Sequence, residues 1–139
     1  MKTWLIAAFT AAALCAAPVH ADDSLYKALG ERDGISRIAA TTIDLSAADP
    51  RINATFADIN LNRLKRLLAD QFCQLSGGPC VYEGRDMVES HAKHGYTNAD
   101  FNILVEHLQT AMERENVPFG QQNRLLAILA PMQRDVVTK

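Results

Sequence analysis

Residues 77–91 read GGPCVYEGRDMVESH, and this stretch decides how the rest of the chain is interpreted. The Gly-Gly-Pro at its start ends any preceding helix, because glycine and proline are the poorest helix formers. The residues that follow, up to Gly84, lack helical periodicity. Met87 and His91 then stand four residues apart, which places both side chains on one face of a short helix. The stretch therefore predicts a helix end, a loop and a short helix that carries an imidazole.

Three segments before this stretch have apolar residues at helical spacing, at positions 24–29, 35–49 and 61–75. A proline directly after the second segment ends it, because proline disfavours helix in the residue before it. Asp58 or Asn60 can cap the third segment. The apolar face of that third segment is formed by Leu61, Leu64, Leu68, Phe72 and Leu75.

Two further helices are predicted after the stretch. Thr97 and Asp100 have the spacing of a capping box, which opens a helix that ends before Pro118. The last helix takes Pro118 in its first turn and continues to Val136, with a kink or a loosened turn at Pro131. No segment alternates with period two over enough residues to form a sheet, so the sequence predicts an all-α fold.

The composition is that of one ordinary globular domain. The chain has 139 residues, of which 48% are hydrophobic and 22% charged, and its net charge is −2. Binding of nucleic acid needs an excess of basic residues, which this chain lacks. We therefore expect no nucleic-acid partner.

Residues 1–21 are predicted to be a cleaved signal peptide, which leaves a domain of residues 22–139. Lys2 precedes an apolar stretch from Trp4 to Ala17, and Val-His-Ala at 19–21 matches the small-x-small pattern of a cleavage site. The stretch is shorter than the roughly 20 residues that cross a bilayer. We expect a mature chain that begins at Asp22, has no membrane span and is periplasmic or secreted.

Three histidines follow the predicted cleavage site: His91, His94 and His107. A histidine at such positions is commonly a solvated or hydrogen-bonded side chain, and the alternative is a metal ligand. His91 and His94 together suit a zinc site poorly, because further Cys or His partners at ligand spacing are lacking. We expect His107 to be a surface or helix-packing residue.

The sequence resembles the group I truncated haemoglobins, small globins built as a two-over-two helical sandwich around haem. The resemblance extends from about Leu25 to Val137, and the spacing between Gly-Gly-Pro and His91 is its most specific feature. The other matching positions are Leu25-Tyr26, Leu29-Gly30, Asp49-Pro50-Arg51, Phe56, Tyr82, Gly84-Arg85-Asp86-Met87, Gly95, Thr97, Phe101, Leu104-Val105, Leu108 and Leu129-Ala130-Pro131-Met132.

The resemblance implies haem b as the cofactor and His91 as the histidine that binds its iron. Phe56 matches the phenylalanine that packs against the haem face, and Phe72 matches an aromatic residue of an apolar ligand tunnel. Further implied contacts are Leu64 and Leu68 on the distal side and Tyr82 and Met87 beside the proximal segment. The leucines and phenylalanines of facing helices also suit the apolar slot that haem requires.

The distal side departs from the pattern of many family members. They place a tyrosine and a glutamine there as hydrogen-bond donors, whereas this chain has Ile43 and Leu68 at the matching positions. The resemblance therefore implies an apolar distal pocket. Thr42 and Gln71 are the nearby residues that could supply a donor instead.

Cys73 and Cys80 are the only cysteines after the predicted signal peptide. In an exported protein such a pair is typical of a disulfide bond, which here would tie the third long segment to the loop that follows it. Two free, buried thiols are the alternative.

These residues favour a haem protein that reversibly binds oxygen, carbon monoxide or nitric oxide, without catalytic residues of its own. The alternative is a haem-dependent redox, electron-transfer or nitric oxide-detoxifying protein, which would use a reductase partner. Peroxide cleavage needs a distal acid or base, so an apolar pocket fits a peroxidase poorly. A helical interaction module without cofactor would require the resemblance to be coincidental.

Overall fold

A computed structural model describes residues 22–139, and the predicted signal peptide lies outside this range. Every regular element in the range is helical, as predicted. The helices are α1 (Ser24–Ala28), α2 (Glu31–Ala48), α3 (Leu61–Leu75), α4 (Met87–His91), α5 (Asn98–Arg114), α6 (Phe119–Leu129) and α7 (Gln133–Val136), with 3-10 turns at Asn53–Phe56 and Ala130–Met132. None of these helices is long and apolar enough to cross a membrane.

The long helix α2 lies at the centre of the fold and packs against both α3 and α5. Its buried face follows helical periodicity, so apolar side chains from three helices meet in one core. The larger members of that core are Leu25, Leu29, Ile35, Ile38, Phe72, Leu108, Met112 and Leu125.

The start of α2 lies at Glu31, so the prediction of a start near Ile35 is wrong. The first turn is polar and contains Glu31 and Asp33, which favour a helix N-terminus through their negative charge. Apolar periodicity marks only the buried face of a helix, and the first buried residue of α2 is Gly34. The sequence pattern therefore located the core contact and not the helix end.

Side-chain caps mark the beginnings of the long helices α3 and α5. The Asn60 carboxamide oxygen accepts a hydrogen bond from the Arg63 backbone N–H at 2.9 Å, so Asn60 is the cap of α3, one of the two predicted candidates. Thr97 and Asp100 form the predicted capping box at the start of α5. Both helices therefore begin where the sequence places them.

The glycine pair after α3 has two separate steric roles. Gly77 has φ +88°, a left-handed conformation that favours glycine. At Gly78 a Cβ atom would lie 2.5 Å from the Tyr26 ring, so only glycine lets the chain pass this close to α1. The turn thus directs the following loop across α1 and toward the short helix α4.

The C-terminal segment positions α4 from the other side. Pro118 is the N-cap of α6 and so stands one residue before the helix, not in its first turn as predicted. The predicted loosening at Pro131 is confirmed, because α6 ends at Leu129 and a 3-10 turn follows it. The short helix α7 after this turn packs against α4. The backbone N–H of Thr138 also donates to the Tyr96 carbonyl at 2.9 Å.

Candidate functional site

A largely apolar cavity of about 470 Å³ lies between α2, α3, α4 and α5. Its volume is in the range of pockets that hold small molecules and cofactors. All eight residues predicted to surround the cofactor line this one cavity: Ile43, Phe56, Leu64, Leu68, Phe72, Tyr82, Met87 and His91. The structure therefore brings together residues that lie as far apart in the sequence as Ile43 and His91.

The His91 side chain lies in the wall of the cavity with one ring nitrogen fixed. Its Nδ1 atom is 2.7 Å from the Met87 carbonyl oxygen. A carbonyl only accepts hydrogen bonds, so Nδ1 carries the proton and Nε2 keeps its lone pair. Burial lowers the pKa of His91 below its usual value and nearby His94 lowers it further, while the hydrogen bond to Met87 opposes both. The ring is therefore neutral at pH 7, as a metal ligand must be.

Neighbouring residues fix the orientation of α4. The Asp86 carboxylate caps the helix by accepting from the Glu89 backbone N–H at 2.7 Å. The His91 and Tyr96 rings pack in a T-shaped arrangement with centroids 5.5 Å apart, and the His94 ring stacks on the same tyrosine at 5.3 Å. Rings and cap together hold His91 in place although α4 has only one turn.

The loop before α4 is held by Tyr82. Its hydroxyl donates to the Arg85 carbonyl at 2.8 Å, and its backbone N–H donates to the Gln74 side-chain oxygen at 2.6 Å. Burial raises the pKa of the Tyr82 hydroxyl, whereas the positive charges of Arg63 and Arg85 act to lower it. The tyrosine therefore remains protonated and joins α3 to the loop that precedes α4.

The wall formed by α2 and the middle of α3 is apolar. Ile43 is only 2% exposed, and Leu64 and Leu68 lie along the cavity on α3. Thr42 also lines the cavity, but its hydroxyl donates to the Ile38 carbonyl at 2.8 Å. The first of the two suspected donors is therefore engaged within its own helix.

Gln71, the second suspected donor, points toward methionine sulfur atoms. Its amide nitrogen is 3.5 Å from the Met87 sulfur and 3.9 Å from the Met132 sulfur. Thioethers are weak acceptors, so these contacts hold the amide loosely. The amide faces the side of the cavity that α4 and the C-terminal segment form.

Two arginines at the cavity, Arg63 and Arg85, were missed by the sequence reasoning. Both are exposed, and within residues 22–139 neither guanidinium is paired with a carboxylate. An exposed arginine on a helix or loop usually indicates only a solvated surface, which is why no sequence signal identified them. In the fold they place positive charge beside a largely apolar cavity whose lining also includes the acidic residues Asp58 and Asp100.

The structure places the Cys73 and Cys80 sulfur atoms at bonding distance, with their Cα atoms 5.7 Å apart. Cys73 is completely buried, and the Arg32 guanidinium lies 3.2 Å from the Cys80 sulfur. The pair links the last turn of α3 to the loop before α4. Among residues 22–139 no cluster of three or more His, Cys, Asp or Glu side chains is arranged to hold a metal ion.

Comparison with known proteins identifies the family. The family model described as bacterial-like globin matches residues 24–138. The chain belongs to the bacterial-like globin family. The group 1 truncated hemoglobin of Tetrahymena pyriformis is 22% identical to this globin over 116 residues, which cover 84% of this chain and 96% of the relative. The group 1 truncated hemoglobin of Tetrahymena thermophila is 29% identical over 70 residues, half of this chain and 58% of the relative.

Solved structures have the same fold as this globin. The crystal structure of the Tetrahymena pyriformis truncated hemoglobin in its Fe(III) form superposes with a TM-score of 0.79 at 22% identity, and covers 83% of this chain and 98% of that one. Chlamydomonas reinhardtii THB1 gives a TM-score of 0.69 at 23% identity, with 86% and 98% covered. The all-α truncated-globin fold predicted from the sequence is confirmed, and membership of the globin family implies haem binding.

Proposed function

We propose that this globin reversibly binds a diatomic gas at a haem b whose iron is held by His91. The observation that carries the proposal is the His91 ring itself: Nδ1 donates to the Met87 carbonyl, so Nε2 presents its lone pair at an apolar cavity. A hydrogen bond to the second ring nitrogen is the usual way in which proteins orient a histidine ligand.

The remaining cavity residues fit the cofactor by their chemistry. Haem needs a flat apolar slot, which the leucines and phenylalanines of facing elements provide. Its propionate groups carry negative charge, which Arg63 and Arg85 at the cavity can balance. Phe56 and Phe72 supply aromatic surface from two different elements.

His91 would hold the haem, which would supply an iron that takes a diatomic ligand. The chain then controls that ligand through Ile43, Leu64 and Leu68, which exclude water and offer no hydrogen-bond donor. A ligand that becomes polar on binding, such as oxygen, gains little from this wall. Carbon monoxide depends less on a donor, so we propose weaker retention of oxygen than of carbon monoxide.

A haem titration tests the proposal. The purified protein is titrated with haemin, reduced and exposed to carbon monoxide while its absorption spectrum is recorded. We expect saturation at one haem per chain and the spectrum of a histidine-ligated ferrous carbon monoxide complex. A protein that leaves the Soret band of free haemin unchanged would contradict the proposal and would favour the cofactor-free interaction module.

We also propose that the chain is exported and that Cys73 and Cys80 are oxidised. Support comes from the composition of residues 1–21 and from the short Cα separation of the two cysteines, 5.7 Å. Mass spectrometry of the protein from its native host should find an N-terminus at Asp22 and no alkylation of either cysteine without prior reduction. An intact Met1 together with two alkylated thiols would contradict it.

A further inference from the structure

A buried histidine that the proposed haem site does not use joins α2 to α5. His107 on α5 is only 9% exposed, yet both of its ring nitrogens have partners. Nδ1 lies 2.9 Å from the Ser46 hydroxyl, and Nε2 lies 3.0 Å from a carboxylate oxygen of Asp49. Ser46 belongs to the last turn of α2, and Asp49 is its C-cap. We call these three residues the Ser46–His107–Asp49 network.

A second link reinforces the network. The Arg51 guanidinium holds the Asp49 carboxylate through bonds of 2.7–3.1 Å and reaches Glu106 on α5 at 3.1 Å. The end of α2 is therefore attached to two successive residues of α5. These are the charged groups that face His107: Asp49 and Arg51 after α2, and Glu106 beside it on α5.

The network has the residue types of a hydrolytic triad, but it is not placed for catalysis. Ser46 has no exposed surface and does not line the cavity. Its hydroxyl also lies 2.7 Å from the Thr42 carbonyl oxygen in the preceding turn. A nucleophile must reach its substrate, so this serine can only serve a structural role.

The proton on His107 Nε2 can be assigned from the partners of the network. The hydrogen bonds from Arg51 hold the pKa of Asp49 at about 2, so above that pH its carboxylate only accepts and His107 Nε2 must donate. The Ser46 hydroxyl lies within hydrogen-bond distance of both His107 Nδ1 and the Thr42 carbonyl oxygen, so its one proton serves two possible acceptors.

The residues next to the network form two walls of the cavity. On α2, Thr42 and Ile43 stand one turn before Ser46 and line the cavity. On α5, Leu104 and Leu108 flank His107 and line it as well. Because these walls offer the gas ligand no hydrogen-bond donor, they act on its movement through the distance between α2 and α5.

We infer that His107 is a positioning residue that fixes the separation of α2 and α5 and thereby the width of the gas pocket. This inference rests on the proposed function. Without the network the two helices can move apart, so a ligand leaves the pocket more readily after its bond to iron is broken. The geminate recombination of carbon monoxide should fall and its association from solution should accelerate.

Laser photolysis of the carbon monoxide complex measures both effects. We expect His107→Leu, which removes both bonds, to lower the ratio of geminate recombination to escape. Ser46→Ala removes one hydroxyl and should shift the ratio in the same direction. This smaller change keeps the test available if the leucine variant does not fold.

Arg37→Gln is the matched control. Arg37 also joins α2 to α5, through a 2.8 Å bond to Glu115, but neither residue lines the cavity. The control should leave the recombination ratio unchanged, although it also removes a polar link between the same helices. Unchanged recombination in haem-bound His107→Leu and Ser46→Ala would overturn the inference, as would an equal shift in Arg37→Gln.

Nitrogen NMR of His107 provides a readout that does not require haem. The folded protein as purified should show Nε2 protonated and hydrogen-bonded to the Asp49 carboxylate. A neutral ring with its proton on Nδ1 would contradict the network. Failure to bind haem would instead contradict the proposed function and leave this NMR result unaffected.

Discussion

Ile43→Tyr should convert the apolar pocket into one that retains oxygen. Ile43 is buried in the α2 wall, and the hydroxyl of its neighbour Thr42 is already engaged with the Ile38 carbonyl at 2.8 Å. The unmodified wall therefore has no competing donor at this point. A tyrosine there directs a hydroxyl into a cavity of about 470 Å³, where it can donate to bound oxygen.

The size of the effect follows from one hydrogen bond to a partly charged ligand. Such a bond contributes about 1.5–3 kcal/mol, which corresponds to roughly a tenfold to hundredfold slower dissociation of oxygen. Carbon monoxide is less polar when bound, so its dissociation should change far less. Ile43→Phe is the matched control, because it has nearly the same bulk as tyrosine and no hydroxyl.

Stopped-flow measurements of oxygen and carbon monoxide dissociation distinguish these outcomes. We expect fast oxygen release from the unmodified protein and from Ile43→Phe, and slow release from Ile43→Tyr. Leu68→Gln should slow oxygen release independently. Slow oxygen release from the unmodified protein would refute the reasoning and would direct attention to Gln71, whose amide is held only by methionine sulfur atoms.

Two further predictions concern stability. Cys80→Ser should lower the free energy of unfolding, measured by urea denaturation, by about 2–3 kcal/mol, the value expected for a disulfide that closes a loop with a sequence separation of 7. A dithiol reductant should produce the same loss in the unmodified protein and no loss in the variant. Asp49 has its pKa lowered from 3.8 to about 2, so it adds stability above pH 3.8 that is lost as the pH falls toward 2. Acid unfolding of Asp49→Asn, followed by circular dichroism, should lack this part of the pH dependence, and identical profiles would show that the carboxylate is not stabilised in the folded state.

Much of the fold could be predicted because the helices have strong local signals. Asn60 and Thr97 are caps whose side chains act on residues three positions away, and Pro131 removes a donor wherever it stands. These effects depend only on neighbouring residues. The start of α2 was placed too late because a polar first turn at Glu31 has no apolar periodicity.

The sequence indicated residues that line one cavity in the structure, but not the contacts that these residues make. The position of His91 came from a spacing that resembles a family, whereas its bond to the Met87 carbonyl depends on the turn that α4 adopts. The partners of His107 are 61 and 58 residues away in the sequence, so no local pattern could identify them. Arg63 is brought to the cavity by the packing of α3, and Arg85 by the path of the loop after α3.

Haem binding by His91→Gly, with and without added imidazole, tests the central claim most directly. The variant removes the His91 ring, whose Nδ1 is fixed by the Met87 carbonyl and whose Nε2 is free within residues 22–139. This ring lines the cavity. We predict that it loses the Soret spectrum of the histidine-ligated protein, that imidazole restores this spectrum, and that His94→Gly retains it without imidazole. An unaltered spectrum in His91→Gly, or its loss in His94→Gly, would contradict the assignment of His91 as the iron ligand.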